Sequence, residues 1–418
     1  MRGAACAFAL AAAARPGPGL AENDAPPTIV VKEIRTHGNF KTSRGVILHY
    51  CEFEPGDVMT QEELDVKLRR TRRNLENTQF FSRLNVFDLP RSNPDEAVIM
   101  IDMAEGTDWH FSASTWQAEL SKENIGGDAV TAGVEFGLDR QRLFYEQPWI
   151  FDSRFFVAAA GFFENGHRTP LENDTGYGGE WFFHEAAGGE GELAYLITLR
   201  TKTGIGVLGE YANYYDVRIK SDPEGRYGIK DEATLIAARP YVEWDARDND
   251  RYPTKGGFFL VKSELSSPKV GDYDYALVEG DVRGYVSPWG EFVIAERVRG
   301  GVATEYTPYI RRISIRGADG LRNVASTRTI GTRALLFTTE FRRRLFKSPI
   351  FDAWFEGVVF CDAGRAWDPG QPVRMEGFDY AFGPGIRIHM RSPFFFDWRA
   401  ELNVNEELSF YATARRAF

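Results

Sequence analysis

From residue 107 onward, apolar and polar side chains alternate one by one along the chain. In residues 274–286 the even positions from Ala276 to Val286 are apolar or small, whereas Glu279, Asp281 and Arg283 are charged. Similar alternation recurs in residues 130–139 and 398–404. Because successive side chains of a strand point to opposite faces, the pattern predicts strands with one apolar and one polar face. A soluble β-sandwich alternates in the same way, but this stretch is longer than an ordinary sandwich. We therefore predict a mainly β protein, with a closed transmembrane antiparallel β-barrel over residues 107–418.

The pattern before residue 107 is different and predicts a small α+β domain at residues 28–105. A strand comes first, followed by two helices and two further strands. The second helix begins with a capping box, Thr60 with Glu63 three residues later. Leu64, Leu68 and Leu75 then form one apolar stripe on an otherwise charged helix. Residues 22–27 are polar and contain proline, which is typical of a linker.

The first residues are typical of a targeting segment. Arg2 precedes a short apolar stretch at residues 4–14, and small residues lead to Ala21. This pattern predicts a signal peptide at residues 1–21, cleaved after Ala21. The stretch is too short to span a bilayer. A disordered alanine-rich leader without an export role is the alternative.

Composition excludes several function classes. The formal net charge of −10 disfavours nucleic acid as a partner. The chain contains no run of about 18 apolar residues, so a helical membrane protein is excluded. Its three cysteines and six histidines form no cluster of metal-ligand spacing and no nucleophile motif. We therefore expect no enzyme activity, no cofactor and no metal.

Four short motifs stand in a fixed order along the predicted barrel. The first is Tyr145-Glu146-Gln147-Pro148-Trp149, the second Asp245-Ala246-Arg247-Asp248 continued by Pro253 and Gly256, the third Ile315-Arg316-Gly317, and the fourth Phe360-Cys361-Asp362-Ala363-Gly364. The chain ends in an amphipathic segment with Phe410 and a terminal Phe418, a signature of bacterial outer-membrane barrels. Together with the N-terminal domain, these features resemble the BamA/TamA superfamily of POTRA-plus-barrel proteins.

The resemblance has consequences for fold and site. It implies about sixteen barrel strands and a POTRA identity for residues 28–105. It also implies that a loop arginine, here Arg316, reaches back to Glu340 and Asp362 on two strands in a charge-assisted contact. We expect this latch to include Gly317, Phe360 and Gly364 as well. A solvated Arg316 is the alternative, and Ala318 departs from the family, which usually has an aromatic residue there.

The resemblance also implies a function. The POTRA domain would capture extended client segments by strand addition, and the seam between the first strand, near residues 107–120, and the last, residues 407–418, would open toward lipid. The expected role is outer-membrane protein assembly. The alternative is a pore that exports a dedicated secreted partner, which the single POTRA domain keeps open. A plain diffusion porin is disfavoured, because it needs neither the domain nor the loop.

Partners and location follow from the same resemblance. We expect unfolded outer-membrane or secreted polypeptides as clients, outer-membrane lipids around the barrel, and accessory lipoproteins or periplasmic proteins as further candidates. The expected location is the bacterial outer membrane with the POTRA domain in the periplasm. An organelle envelope is the alternative.

Overall fold

The computed structural model of the chain describes residues 27–113, 117–173, 176–219, 227–250, 252–316, 320–322, 329–348, 350, 352–369, 377–392, 396–402 and 408–413. The expected signal peptide and Phe418 lie outside these residues, as does the linker up to residue 26. Neither α-helix within the described ranges is long and apolar enough to cross a bilayer.

A four-stranded sheet and two helices form the N-terminal domain. Its elements are β1 (Thr28–His37), α1 (Arg44–His49), β2 (Val58–Thr60), α2 (Gln61–Thr78), β3 (Phe81–Asp88) and β4 (Glu96–Glu105). The strand order is β2-β1-β4-β3, with β1 parallel to β4 and the other pairs antiparallel. The strand β2, which leaves one sheet edge open, is the one element that the sequence pattern did not predict.

Local sequence explains why these elements form and how they pack. The side chain of Thr60 accepts a hydrogen bond from the Glu63 backbone, and Glu63 caps the Thr60 backbone in return, so the capping box is present. Leu64 and Leu75 of α2 are buried against alternate residues of the sheet, among them Ile99. The domain thus has an ordinary apolar core between helices and sheet.

Sixteen strands form the second sheet among the described residues. They are β5 (Trp109–Ala113), β6 (Gln117–Ile125), β7 (Val130–Gly137), β8 (Arg140–Gln147), β9 (Phe155–Asn173), β10 (Gly176–Thr198), β11 (Thr201–Arg218), β12 (Glu232–Asp245), β13 (Gly256–Ser266), β14 (Tyr275–Trp289), β15 (Phe292–Ala303), β18 (Arg333–Lys347), β19 (Asp352–Trp367), β20 (Asp379–Ser392), β21 (Phe396–Leu402) and β22 (Leu408–Thr413). Two further strands, β16 (Ile313–Ser314) and β17 (Ile330–Gly331), pair only with each other. Each strand of the large sheet runs antiparallel to its neighbours, which confirms the predicted barrel fold.

The barrel is apolar outside and charged inside. Val278, Val282 and Val286 of β14 are 42%, 49% and 57% exposed, whereas Glu279 and Asp281 between them are each 7% exposed. The alternation read from the sequence is therefore the two faces of the wall. A sheet whose outer face meets lipid needs this arrangement.

The described part of the sheet begins at β5 and ends at β22. Cα atoms of β5 and β22 approach within 8 Å, but the described residues show no pairing between them. The expectation of a first strand near residues 107–120 was wrong, because that stretch folds as the hairpin of β5 and β6. The described parts of the two strands at the seam are 5 and 6 residues long.

The N-terminal domain contacts one rim of the barrel, at the turns after β6 and β8. The rings of His49 and Trp149 stack at 4.4 Å, and His49 Nε2 lies 2.7 Å from a carboxylate oxygen of Asp152. Asn124 donates a 2.7 Å hydrogen bond to the Thr42 hydroxyl. These contacts identify the rim on the domain side.

Candidate functional site: the inward loop and its anchors

The segment between β15 and β18 folds into the barrel. Its backbone is held by the β16–β17 pair and by a bridge that joins Arg316 to Leu321. The Leu321 backbone also donates a 2.6 Å hydrogen bond to the Ile315 carbonyl. Ile315 and Leu321 are 0% and 2% exposed and pack against Leu336 and Phe360 of the wall. The described residues of this inward loop, 304–316, 320–322 and 329–332, therefore rest on the inner faces of β18 and β19.

Arg322 follows Leu321 and connects the loop to three strands. Its Nε and Nη2 lie 2.7 Å from the two oxygens of Asp362 on β19. Its Nη1 donates to Glu340 on β18 at 2.7 Å and to Glu401 on β21 at 3.2 Å. The contact with Asp362 is bidentate, a geometry that arginine supplies and lysine does not. One guanidinium thus fixes the loop to three strands.

Two more arginines complete this anchor cluster. Arg387 of β20 donates to Glu340 at 2.6 Å and to Glu401 at 2.8 Å, and Arg342 lies 2.6 Å from Glu340. The members of the cluster are Arg322, Arg342, Arg387, Glu340, Asp362 and Glu401. Three cations meet three carboxylates, and each side chain is at most 4% exposed. Removing one partner from such a buried set leaves an uncompensated charge, which is costly.

Phe360 and Gly364 of β19 shape the space for the loop. The guanidinium carbon of Arg322 lies 3.9 Å from the centroid of the Phe360 ring, within cation–π distance. A Cβ atom at Gly364 would stand 2.9 Å from Cδ1 of Ile315 and 3.2 Å from Cδ1 of Leu336. Glycine at this position therefore leaves room for the loop's buried isoleucine.

The arginine that the sequence analysis assigned to the latch is corrected here. Arg316 is exposed, and Arg322 occupies the position between Glu340 and Asp362. The physical reason is the tight bridge between residues 316 and 321, which turns Arg322 toward the wall. Gly317 and Ala318 lie outside the described residues. The bridge joins two apolar-Arg pairs, Ile315-Arg316 and Leu321-Arg322, and only the second places its arginine between Glu340 and Asp362.

A second anchor attaches the same loop to other strands. Arg311 forms an ion pair with Glu210 of β11 and lies 3.9 Å from Glu264 of β13. Glu264 also accepts a 2.7 Å hydrogen bond from Arg239 of β12. Glu210 is 4% exposed and Glu264 is 8% exposed. The loop therefore connects β11 and β13 with β18, β19 and β21.

Sequence reasoning missed several members of these two anchors, namely Arg311, Arg322, Arg387 and Glu401. Arg387 and Glu401 occupy inward-facing positions in the alternation of their strands. That alternation is a signal that could have identified them. Within the described parts of the chain, no group of histidine, cysteine or carboxylate side chains is arranged to hold a metal ion.

The motif that begins at Asp245 forms a compact turn between β12 and β13. Asp245 binds Arg247 through two contacts, 2.9 Å to Nε and 2.6 Å to Nη2. Asp248 accepts hydrogen bonds from the backbone of Thr254 at 2.8 Å and of Lys255 at 3.0 Å. The roles of this motif are therefore local and structural.

Two further residues of the same motif complete the turn. Pro253 is buried. Gly256 has φ +97°, and a Cβ atom there would lie 2.2 Å from the Ala246 carbonyl oxygen, so this position requires glycine. Phe410 of the C-terminal signature lies on β22, opposite Ala400 of β21.

Comparisons with known proteins agree with this architecture. The chain is 23% identical over 321 residues to the outer membrane protein assembly factor BamA of Nitratidesulfovibrio vulgaris (strain Hildenborough), which covers 71% of this chain and 38% of that protein. The chain thus spans well under half the length of this curated relative.

Solved structures show the same fold. BamA from Haemophilus ducreyi lacking POTRA domains 1–3 matches with a TM-score of 0.56 and 16% identity, over 92% of this chain and 84% of that one. CdiB from Escherichia coli matches with a TM-score of 0.62 and 11% identity, over 92% and 76%. The model of the Omp85 superfamily domain matches residues 124–402, about two thirds of the chain. The chain therefore belongs to the Omp85 superfamily.

Proposed function

We propose that this outer-membrane β-barrel inserts client β-barrel proteins into the membrane through the seam between β5 and β22. The superfamily serves outer-membrane insertion or translocation, and insertion is the finer assignment proposed here. We infer no enzymatic step and no cofactor, because the client supplies the free energy when its apolar strand surface enters lipid.

The seam is the observation that carries this proposal. Backbone groups of a strand edge in lipid cost several kcal/mol each when they lack partners. The described parts of β5 and β22 are 5 and 6 residues long and share no ladder. A client strand that pairs with either edge would satisfy those groups, which is the physics of strand addition.

The N-terminal domain offers a second edge at β2. We infer that this domain is a POTRA domain and that it first captures extended clients there. Val58 on β2 is 61% exposed, and β2 pairs with β1 on one side only. Clients would be unfolded outer-membrane proteins, with accessory lipoproteins or periplasmic proteins as additional partners.

The inward loop supports insertion through the wall over passage through the lumen. Its two anchors connect separate parts of the wall through Arg322 and Arg311. A chain that passed through the lumen would have to displace this loop or run beside it. We therefore assign the loop to holding the wall in register while the seam opens.

Export of a dedicated secreted partner is the second candidate. A cavity of about 720 Å³ inside the barrel favours it. Arg142, Glu190 and Lys202 are among the charged side chains that line the cavity, which suits a hydrated polypeptide path.

A liposome assay separates the two functions. The purified full chain is reconstituted, a urea-unfolded outer-membrane barrel is added, and the protease-resistant folded fraction is followed over time. We expect faster folding than in empty liposomes, and a strong loss of this acceleration in Arg322→Ala.

The matched control is Arg316→Ala, which removes an exposed arginine from the same loop. A cysteine pair that bridges β5 and β22, in a Cys51→Ser and Cys361→Ser background, should abolish the acceleration until it is reduced. Unchanged folding with the seam covalently closed would refute insertion through the seam. Ion conductance without any acceleration would favour export instead.

A further inference from the structure

A pocket of about 470 Å³ lies between the N-terminal domain and the rim of the barrel. The domain contributes the segment from Cys51 to Asp57 and Arg70 of α2, and the barrel contributes Arg154 and the turn between β10 and β11 with Arg200. Its walls therefore belong to two units, and anything bound there contacts both.

The three arginines of this pocket make no direct ion pair among the described residues, although carboxylates also line it. The guanidinium groups of Arg70 and Arg200 have no hydrogen-bond or salt-bridge partner within the described ranges, and that of Arg154 donates only to the Ile197 carbonyl, at 2.9 Å. Burial lowers the pKa of nearby Arg73, and the positive charges of Arg200 and Arg70 lower it further. Three guanidinium groups that share one pocket and are not engaged in ion pairs can bind the phosphate of a ligand.

The carboxylates of Glu52, Glu54 and Asp57 line the same pocket. The carboxylate of Glu54 has no side-chain or backbone partner among the described residues, whereas Glu52 accepts a 3.3 Å hydrogen bond from Asn74. A ligand that carries only negative charge would meet repulsion from these groups. A zwitterion with a phosphate and an ammonium group fits both walls.

The pocket lies beside the lipid-facing band of the barrel. Phe155 follows Arg154 directly and is 45% exposed, and Ile197 precedes the turn with Arg200 and is 49% exposed. Arginines adjacent to an apolar band stand at the depth of phospholipid headgroups. The acyl chains of a lipid could then follow the outer face of β9 and β10.

We propose that this pocket binds the headgroup of a phosphatidylethanolamine molecule. Its phosphate lies among Arg70, Arg154 and Arg200, and its ammonium group faces Glu54. Because both the domain and the barrel contribute residues, the bound lipid fixes the orientation of the N-terminal domain relative to the membrane. This inference rests on the outer-membrane location and is independent of insertion or export.

Native mass spectrometry of the full chain in detergent tests the proposal. Delipidated protein is titrated with phosphatidylethanolamine, phosphatidylglycerol or phosphatidylcholine, and with soluble phosphoethanolamine as a separate arm. We expect one tight phosphatidylethanolamine site, weakened about tenfold or more in the Arg70→Ala/Arg200→Ala variant. Arg69→Ala is the matched control, since Arg69 lies on the same helix but does not line the pocket, and it should bind as the wild type does.

A second variant tests the ammonium side. Glu54→Gln should shift the preference from phosphatidylethanolamine toward phosphatidylglycerol, and it leaves the arginines intact should the double variant fail to fold. Equal phosphatidylethanolamine affinity in the wild type and the double variant, or no change in preference in Glu54→Gln, would overturn the proposal. Soluble phosphoethanolamine that binds as tightly as the lipid would overturn the membrane assignment.

Discussion

The N-terminal domain and the barrel bury different kinds of side chain in their interiors. The domain buries Leu64, Leu75 and Ile99 and exposes its charges. The barrel exposes Val282 and its equivalents and buries arginines and carboxylates. Both contain strands with the same one-by-one alternation of side chains.

The difference shows that the solvent outside an element decides which face turns inward. Water outside the domain makes burial of apolar surface favourable. Lipid outside the barrel removes that driving force and leaves charged pairs and hydrogen bonds to hold the interior. The net stability of each region then depends on a different kind of contact, and four experiments test this.

The largest effect is expected for Arg322→Ala in the barrel interior. It leaves Asp362, Glu340 and Glu401 with fewer counterions, at a cost of about 3–5 kcal/mol. Urea unfolding in liposomes, followed by the mobility of the unheated protein on gels, measures the loss. Arg316→Ala should change the free energy of unfolding by less than about 0.5 kcal/mol, and equal losses in the two variants would contradict the anchor.

A somewhat smaller effect is expected for Leu64→Ala in the domain core. Leu64 is fully buried, and such truncations cost about 2–4 kcal/mol through lost transfer energy and the cavity left behind. Hydrogen exchange should locate the loss in residues 28–105 with the barrel protected as before. Leu68→Ala, at a partly buried position of the same helix, is the control and should lose less.

Arginine at an exposed valine tests the comparison directly. Val282→Arg places a charge on the lipid-facing side of β14 and should cost about 2 kcal/mol, depending on its depth in the bilayer. Val58→Arg, at a valine of the domain that is 61% exposed, should cost less than about 0.5 kcal/mol. Equal costs at the two positions would mean that the outer face of β14 does not meet lipid.

The smallest effect concerns a thiol of the domain. Burial raises the pKa of Cys51 to about 12, so at pH 8 only about one thiol in 10⁴ is ionised. We expect alkylation by iodoacetamide to be far slower than for a free thiol and to accelerate in Leu64→Ala. Rapid labelling of Cys51 in the wild type would show that the domain core opens readily.

Much of the fold could be predicted, because the spacing of apolar residues along the chain and the solvent that meets each face leave few alternatives. The alternation over β14 fixed both its strand character and its faces, and the capping box located the start of α2 to the residue. The strand β2 escaped prediction because three residues carry too little pattern. The first strand of the seam was predicted wrongly, because the alternating stretch at residues 107–120 contains a hairpin and not one strand.

The sequence by itself determined the small α+β domain, the barrel and the inward positions of Glu340 and Asp362, because side-chain alternation follows from backbone geometry alone. Only the tertiary structure decided that Arg322 and not Arg316 meets those carboxylates. Both arginines follow a buried apolar residue, so local pattern does not distinguish them. The choice depends on the bridge between residues 316 and 321, and on the space that Gly364 leaves for Ile315. The second of these is a contact between residues far apart in the chain.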